Sequence, residues 1–269
     1  MAGEPGVVTS MQNRRVAAAR ALRRAKERAA TGTFLVEGPH AVAELVGSSA
    51  YGIGDVFVTA DLAQRQPGLV DAVRARGGDV VFVDDRVADA LAETVHPQGV
   101  VAVAARPELE LSTVFRGRPN LVAVLDRVAD PGNAGTVIRT ADAFAADAVV
   151  LTGGSVDPYG GKCVRATAGS LFHLPVLTDV ELAPVVDAAR AAGLQVLAAA
   201  GDGDPLDALG DALGAPTCWV FGNEAHGLDA TAPAWADRVV SIPQTGRAES
   251  LNLATAAAIC LWSTAQHRR

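Results

Sequence analysis

Short apolar runs alternate with amphipathic segments over most of the chain. Runs such as Thr33–Glu37 and Leu121–Leu125 have the length of buried strands, and the segments between them space their apolar residues like helices. Strands that alternate with helices predict an α/β fold with crossover units and mainly parallel sheets. The remaining predicted strands are Asp55–Ala60, Asp79–Val83, Gly99–Ala104, Ala148–Leu151, Leu194–Ala199, Thr217–Phe221 and Arg238–Ile242.

The pattern is interrupted at residues 106–119, where two prolines, a glycine and mixed charge predict a linker. We therefore expect a smaller domain over residues 1–105 and a larger one over residues 120–269. Residues 11–30 predict a single helix with one charged side. Residues 251–266 predict a terminal helix that is apolar nearly all round, and such a helix must be covered by a subunit interface or inside its own domain.

The composition excludes several classes of protein. In a chain of 269 residues, 49% hydrophobic and 20% charged residues exclude global disorder. No stretch of about 18 apolar residues predicts a membrane span, and the N-terminal residues lack the apolar core of a secretory signal. Three widely spaced cysteines form neither a disulfide framework nor a metal knuckle, which favours a reducing, cytoplasmic setting.

Charge is distributed unevenly along the chain. The net charge of −7 argues at first sight against a nucleic-acid partner. Residues 10–30, however, carry seven arginines and lysines against one glutamate. A local basic stripe can hold phosphates on a protein that is acidic overall, and the same residues could instead form a solvated helix face.

Polar residues gather in the loops that follow three predicted strands, and ligands bind at such loops in open α/β sheets. The first loop spans residues 126–133 and leads into a helix, for which Asn133 is the predicted N-cap. Helical side chains lean toward the N-terminus, so we expect Arg139 to reach back to the mouth of this helix. An ordinary cap and a surface arginine would give the same local pattern.

The other two loops add a carboxylate and further polar side chains. In residues 221–228, glycines surround Glu224, and they would let the backbone approach a ligand closely. Residues 241–252 join a strand to the apolar terminal helix through a Pro/Gly loop that ends in Ser250 and Asn252. One cap would suffice for that helix, so several polar groups at its start indicate a site.

These three loops, in this order, resemble the signature motifs of the SpoU (TrmH-type) branch of the SPOUT RNA methyltransferases. The matching residues are Asn133, Gly135 and Arg139, then Gly222–Glu224 with Gly227–Leu228, then Ser241–Pro243, Gly246 and Glu249–Asn252. The resemblance covers about residues 119–265, including Arg165–Val176. The first half resembles the family's substrate-binding domain, which is similar to certain RNA-binding ribosomal proteins.

The resemblance implies a parallel sheet with a trefoil knot, a homodimer formed through the C-terminal domain, and S-adenosylmethionine bound in the knot largely by main-chain groups. Knots are nearly absent from proteins, so periodicity alone does not suggest one. The implied reaction methylates a ribose 2′-hydroxyl of RNA, and the substrate-binding half favours ribosomal RNA over tRNA. The implied catalytic residues are Asn133, Arg139, Glu224, Ser250 and Asn252. The implied donor-binding residues are Gly222, Ile242, Gly246 and Leu251.

The chemistry of the implied reaction agrees with these residue types. Methyl transfer from a sulfonium is a single in-line displacement that requires no metal, and no residues of the sequence have metal-ligand spacing. Arg139 is the family's proposed base, although a guanidinium holds its proton too tightly to be a good one. Arg139 would alternatively clamp the phosphate beside the target ribose.

RNA contacts are expected from arginines, because they can pair with phosphates. The expected RNA-binding residues are Arg14, Arg15, Arg20, Arg23, Arg24 and Arg165. Aromatic residues make up only 4% of the chain, which favours recognition of shape and of ribose and phosphate over the reading of bases.

Other functions remain open at this stage. A tRNA methyltransferase of the same family and a non-catalytic RNA-binding protein that keeps the fold would share most of these motifs. A nucleotide-dependent oxidoreductase would need a G-x-G-x-x-G turn that opens a helix, and neither Gly153–Ser155 nor Gly201–Gly203 provides one. Gln244 and Thr245 depart from the family pattern, in which a methionine and a small residue are expected.

Overall fold

The structure is a computed structural model that describes residues 6–228 and 232–268, with only the backbone described at Pro233. Strands and helices alternate along both halves of the chain. The strands are β1 (Thr33–Glu37), β2 (Gly52–Thr59), β3 (Asp79–Val83), β4 (Val100–Ala105), β5 (Leu121–Leu125), β6 (Ala148–Thr152), β7 (Val176–Val180), β8 (Gln195–Pro205), β9 (Thr217–Phe221) and β10 (Arg238–Ser241).

The helices lie between these strands, with short ones in the connecting loops. They are α1 (Arg14–Ala21), α2 (Ala25–Thr31), α3 (Pro39–Gly47), α4 (Ala60–Arg65), α5 (Pro67–Ala75), α6 (Asp85–Leu91), α7 (Leu111–Phe115), α8 (Pro131–Ala143), α9 (Gly161–Thr167), α10 (Leu182–Ala191), α11 (Ala232–Trp235) and α12 (Leu253–Gln266). Two 3₁₀ helices cover Ser170–Phe172 and Leu206–Gly214.

The chain divides into two compact units. The first contains the described residues up to Glu108 together with Tyr159–His173, and the second contains Leu109–Pro158 and the described residues from Leu174 onward. Residues 159–173 therefore belong to the first unit, although they lie within the sequence range of the second.

The sheet of the first unit has the strand order β1-β4-β2-β3. Only β2 and β3 pair in parallel, whereas β4 runs antiparallel to both of its neighbours. The prediction of a mainly parallel sheet is wrong for this unit, because the last strand returns between β1 and β2 instead of extending the sheet. Which strands pair is a non-local property that an apolar run does not encode.

The segment Tyr159–His173 packs against the first unit through aromatic and polar contacts. The ring centroids of Phe34 and Tyr159 are 4.9 Å apart, and Tyr51 packs edge-on against Phe172 at 5.0 Å. The hydroxyl of buried Tyr51 donates to the Leu171 carbonyl at 2.9 Å. These contacts supply part of the apolar core of the unit.

The single helix predicted over residues 11–30 is instead two helices that break at Leu22–Arg24. Val16 and Ala19 on α1 are buried in the core of the first unit, beside Phe57. At the break, the Arg28 guanidinium donates to the Leu22 and Arg23 carbonyls, both at 2.9 Å. That side chain satisfies carbonyls that a continuous helix would have paired.

The sheet of the second unit has the order β10-β8-β9-β5-β6-β7, and every pairing is parallel. The central strands β5 and β9 are buried along their whole length, as expected for a sheet that is covered on both faces. The end of β8 passes very close to β10. A Cβ on Gly203 would stand 2.4 Å from the carbonyl carbon of Val239, so only glycine fits there.

The terminal helix α12 packs against α8 and β9. The indole of buried Trp219 on β9 donates to the Thr264 hydroxyl at 2.9 Å. Burial is incomplete, because Trp262 is 51% exposed. The described residues include no helix with the length and hydropathy of a membrane span.

Candidate active site

A cavity of about 770 Å³ opens at the carboxyl ends of β5, β9 and β10 and beside the middle of β8. Three of the segments that line it are the loops singled out in the sequence, and the fourth is Ala199–Gly201 in the middle of β8. The sequence did not single out this fourth segment, because its small residues carry no chemical signal. Seven of the nine residues expected to be catalytic or donor-binding line the cavity: Asn133, Gly222, Glu224, Ile242, Ser250, Leu251 and Asn252.

The first loop leads into α8, which begins earlier than predicted. Its N-cap is Asp130, whose carboxylate accepts from the Asn133 backbone amide at 2.9 Å, so the prediction that Asn133 is the cap is wrong. Pro131 takes the first helical position, where no amide hydrogen is needed and its φ suits the helix. Because another residue caps the helix, the Asn133 carboxamide is free for tertiary contacts.

Glu224 joins the second loop to the first. Its carboxylate accepts from the backbone amides of Ala129 and Asp130, both at 3.1 Å, and from the Asn133 side chain at 3.0 Å. Partial burial alone would raise the pKa of Glu224, but these hydrogen bonds favour the charged form more strongly, and the pKa lies below its usual range. Glu224 is therefore ionised near neutral pH, where it holds the first loop by accepting hydrogen bonds and is a poor proton donor.

Asn252 joins the third loop to the same network. Its Oδ1 caps α12 by accepting from the Ala254 amide at 2.9 Å and the Thr255 amide at 3.3 Å. Its Nδ2 donates to Asn133 Oδ1 at 3.0 Å. Glu224, Asn133 and Asn252 thus form one continuous chain of hydrogen bonds across all three loops.

Gly222 and Asn223 determine the shape of the second loop. A Cβ on Gly222 would stand 2.3 Å from the Gly227 carbonyl carbon, so any side chain there would displace the turn. The Asn223 side chain accepts from the Ala225 amide at 2.8 Å and donates to the Arg127 carbonyl at 2.7 Å. Asn223 belongs to the matching motif residues Gly222–Glu224, but no role was predicted for it from the sequence.

In the third loop, some of the residues expected at the site line the cavity and others do not. Ile242 and Leu251 are half-buried in the cavity wall, and Ser250 is exposed at its rim. Gly246 does not line the cavity, and a Cβ placed on it would meet no atom within 4 Å. Gln244, which departs from the family pattern, does line the cavity.

Arg139 lies on the exposed face of α8 and does not line the cavity. It forms no hydrogen bond or ion pair with any residue that the structure describes. It lies six positions after Asn133, which corresponds to about 9 Å along the helix axis. Its catalytic role stays a prediction.

The arginines expected to bind RNA all lie in the first unit, and several have partners within it. Arg15 pairs with Asp55 and Asp79, both at 2.6 Å. The other pairings are Arg23 with the Ala90 and Ala92 carbonyls, Arg24 with Glu27, and Arg165 with Glu93 and Glu37. Arg14 and Arg20 are exposed and contact no polar partner within the described part of the chain.

The titratable residues outside this network include three buried cysteines. Burial raises the pKa of Cys218 and of Cys260 to about 12, so these thiols are inert at neutral pH. Over residues 6–228 and 232–268, no three His, Cys, Asp or Glu side chains form a group that could hold a metal ion.

A parallel sheet with a ligand-sized cavity at the carboxyl ends of its central strands is typical of α/β proteins that bind a small ligand or cofactor. Residues 120–262 match the model of the SpoU rRNA Methylase family, and residues 13–102 match the MRM3-like substrate binding domain. Because the first match covers more than half of the chain, the chain belongs to the SpoU rRNA methylase family.

Relatives and solved structures agree over nearly the full length. The chain is 34% identical to the 23S rRNA (guanosine(2553)-2′-O)-methyltransferase RlmP of Bacillus subtilis, over 95% of this chain and 97% of that protein. The AdoMet-bound rRNA methyltransferase of Sinorhizobium meliloti superposes with a TM-score of 0.87 at 33% identity, covering 97% and 98% of the two chains. AviRb of Streptomyces viridochromogenes, in complex with AdoMet, superposes with a TM-score of 0.83 at 30% identity, covering 96% of this chain and 98% of that one. These matches confirm the family and the class of enzyme expected from the three motifs.

Proposed function

We propose that this protein transfers a methyl group from S-adenosylmethionine to a ribose 2′-hydroxyl of 23S ribosomal RNA. The observation that carries the proposal is the hydrogen-bonded chain Glu224–Asn133–Asn252, which holds the three loops together in one cavity wall. The names of two relatives support the substrate, since RlmP of Bacillus subtilis and the 23S rRNA (uridine(2479)-2′-O)-methyltransferase of Streptomyces viridochromogenes both name 23S rRNA.

The cavity fits the methyl donor in size and chemistry. Its volume lies within the range of cofactor sites. The apolar side chains of Ile242 and Leu251 suit an adenine ring, and Gly222 contributes main-chain atoms to the lining. The carboxylates of Glu224 and Glu249 favour a cation over an anion in the same space. When bound, S-adenosylmethionine supplies an electrophilic methyl group.

The residues of the chain contribute positioning. The lowered pKa of Glu224 makes its carboxylate a weak base, and both of its oxygens already accept hydrogen bonds, so it orients Asn133 and does not itself remove a proton. In this proposal, the second N–H of the Asn133 carboxamide and the exposed hydroxyl of Ser250 hold the ribose hydroxyl at the mouth of the cavity. Correct placement of two reactants is itself a large share of catalysis.

We also propose that the protein is a homodimer formed through the second unit. Trp262 is half-exposed on α12, and Arg139 is exposed on α8, which packs against α12. A second copy on this face would cover the indole and bring Arg139 into an interface. There the guanidinium would bind a phosphate of the RNA through two parallel hydrogen bonds, because its planar shape suits bidentate pairing with phosphate.

For RNA binding, exposed Arg14 and Arg20 are better candidates than Arg15, whose guanidinium is already paired with two carboxylates. Replacing both with alanine should reduce the slope of log affinity against log salt by about two, because each phosphate contact contributes about one. An unchanged slope in a filter-binding series would remove these two residues from the RNA interface.

The cytoplasm, where ribosomal RNA is modified, is the proposed location.

The function is tested by incubating the purified protein with labelled S-adenosylmethionine and either unmodified 23S rRNA or total tRNA. Methylation of one ribose in the 23S rRNA, mapped by resistance to alkaline cleavage, is the expected result. Transfer to tRNA alone would support the tRNA methyltransferase instead. Binding of RNA without transfer to either substrate would support a non-catalytic RNA-binding protein.

A further inference from the structure

A second cavity, of about 430 Å³, opens at the carboxyl ends of β5 and β6 beside α10 and α11. It borders the loop after β5 through Asp126 and Arg127, whereas the first cavity borders the same loop through Ala129 and Asp130. No described residue lines both cavities. The two cavities are therefore distinct pockets that share one loop.

Glu181 presents an unpartnered carboxylate to this second cavity. It is the N-cap residue of α10, yet its side chain makes no capping hydrogen bond, and glutamate is not a preferred capping residue. One of its carboxylate oxygens lies 3.7 Å from the position that a Cβ on Gly153 would occupy. The carboxylate makes no hydrogen bond or ion pair with the described residues.

Arg127 lies beside the second glycine of the Gly153–Gly154 turn. Its Cγ lies 3.8 Å from the position that a Cβ on Gly154 would occupy. The glycine turn therefore has the free carboxylate of Glu181 beside Gly153 and the Arg127 side chain beside Gly154, and both side chains line the cavity. Half-buried Trp235 adds an aromatic side chain to the same lining.

The backbone of Arg127 is held in an unfavourable conformation. Its φ is +54°, in the left-handed region that residues other than glycine rarely adopt. Its amide donates to the Thr152 hydroxyl at 3.0 Å, and its carbonyl accepts from Asn223 of the second loop at 2.7 Å. Strain that the surroundings enforce in this way is typical of functional sites. The contact with Asn223 also links the second cavity to the loop that carries Glu224.

The chemistry of this lining matches one RNA base better than the others. Guanine presents two adjacent N–H donors, at N1 and N2, and acceptors at O6 and N7. A carboxylate can accept both donors at once, whereas uracil offers it a single N–H. A guanidinium suits O6 and N7, and Asp126 already holds the Arg127 side chain at the cavity.

We propose that this second cavity binds a guanine base, with Glu181 accepting from N1 and N2 and with Arg127 donating to the acceptor edge. The proposal deepens the proposed function, since a guanine of the RNA substrate bound here would place its strand beside the methyl-transfer cavity. It also departs from the expectation that sparse aromatic residues favour the recognition of shape over the reading of bases. A free guanine nucleotide shares this chemistry and is distinguished by the experiment.

The experiment is calorimetric titration of the full-length protein with guanosine, inosine and uridine 5′-monophosphates, and with five-nucleotide RNAs that carry guanosine, inosine or uridine at the centre. Inosine lacks only the N2 amino group. We expect the guanosine probe to bind about tenfold or more tightly than the uridine probe, with inosine between them. Glu181→Gln should bring the guanosine-to-uridine ratio close to one. Asp187→Asn is the matched control, since Asp187 lines the same cavity further along α10 and should leave the ratio unchanged.

Each outcome decides a separate point. Discrimination with the RNAs but not with the mononucleotides supports a base of the RNA substrate, and strong binding of guanosine monophosphate itself supports a free nucleotide as ligand. Equal binding of guanosine and uridine in both probe sets overturns the proposal, as does discrimination that survives Glu181→Gln. Titration of the same variants with S-adenosylmethionine keeps the two proposals separate, because donor binding depends only on the first cavity.

Discussion

Replacing Glu224 with glutamine tests whether the hydrogen-bonded chain holds the three loops together. The carboxylate accepts three hydrogen bonds, one on Oε2 and two on Oε1. A glutamine keeps one acceptor atom, so the other position would present an NH₂ group to a backbone amide that needs an acceptor. One hydrogen bond is lost, and the other two become bonds to a neutral group, which are roughly half as strong.

The expected loss of stability follows from these bonds. A typical hydrogen bond contributes about 1 kcal/mol net, and the lost charge assistance adds a similar amount after allowance for solvent screening at this exposed carboxylate. The free energy of unfolding should therefore fall by about 2 kcal/mol, which corresponds to a decrease in Tm of about 4–8 °C. The turnover number should fall more than donor affinity, because Asn133 loses the group that orients it.

The pH dependence supplies an independent check. The pKa of Glu224 is lower in the folded protein than in the unfolded chain. The stabilisation is therefore fully present above the unfolded pKa of about 4.3 and is lost as the pH falls through the lower folded value. The difference in Tm between the native protein and Glu224→Gln should be constant above about pH 5.5 and should shrink below about pH 4.

Differential scanning fluorimetry across this pH range measures the effect. Glu249→Gln is the matched control, because Glu249 lines the same cavity but has no hydrogen-bond partner among the described residues. Equal Tm values for the native protein and Glu224→Gln at neutral pH would refute the reasoning, as would an equal loss in the Glu249→Gln control.

Three further predictions concern single residues. Arg139→Ala should lower turnover about 100-fold while donor affinity, measured by calorimetry, stays within about twofold. Arg139→Lys should lower turnover as well if bidentate binding of a phosphate matters. A fall in donor affinity equal to the fall in turnover would contradict the catalytic role of Arg139. Gly222→Ala places a Cβ 2.3 Å from a backbone atom and should weaken donor binding about tenfold or more. Gly246→Ala is the control, because a Cβ there meets no atom within 4 Å and should leave donor binding unchanged. Equal donor affinities of the native protein and Gly222→Ala would exclude Gly222 from the donor site. Trp262→Glu should convert a dimer into a monomer, as measured by light scattering, because it places a charge in the proposed interface. Val95→Glu is the control, at a site in the first unit that is 88% exposed. A native protein that is itself monomeric would refute the proposed dimer.

Much of the local structure could be predicted from the sequence, because strands and helices follow from the spacing of apolar residues over a few positions. Thr33–Glu37, Asp79–Val83, Leu121–Leu125 and Thr217–Phe221 were predicted with the bounds that the structure shows. The strand Val176–Val180 was missed, because only its first two residues are buried and its second half turns outward. A pattern of burial is visible in the sequence only where burial is regular.

The candidate site was predicted in part, for reasons that differ between its residues. Glu224 and Asn252 belong to dense polar motifs at strand ends, where the fold class itself predicts a ligand. Asn133 was predicted to line the site but assigned the wrong local role, because Asp130 three residues earlier competes for the cap and Pro131 favours that start. Arg139 was expected to reach the cavity, and the chain by itself leaves it exposed on α8.

What the sequence determined by itself is therefore the alternation of elements, the parallel architecture of the second half and the identity of the polar loops, because these properties depend on neighbours along the chain. The tertiary structure decided the antiparallel return of β4, the inclusion of Tyr159–His173 in the first unit and the joining of Asn133, Glu224 and Asn252 into one network. These last features depend on contacts between residues far apart in sequence. Their energies depend on distance in space, which the order of residues alone does not specify.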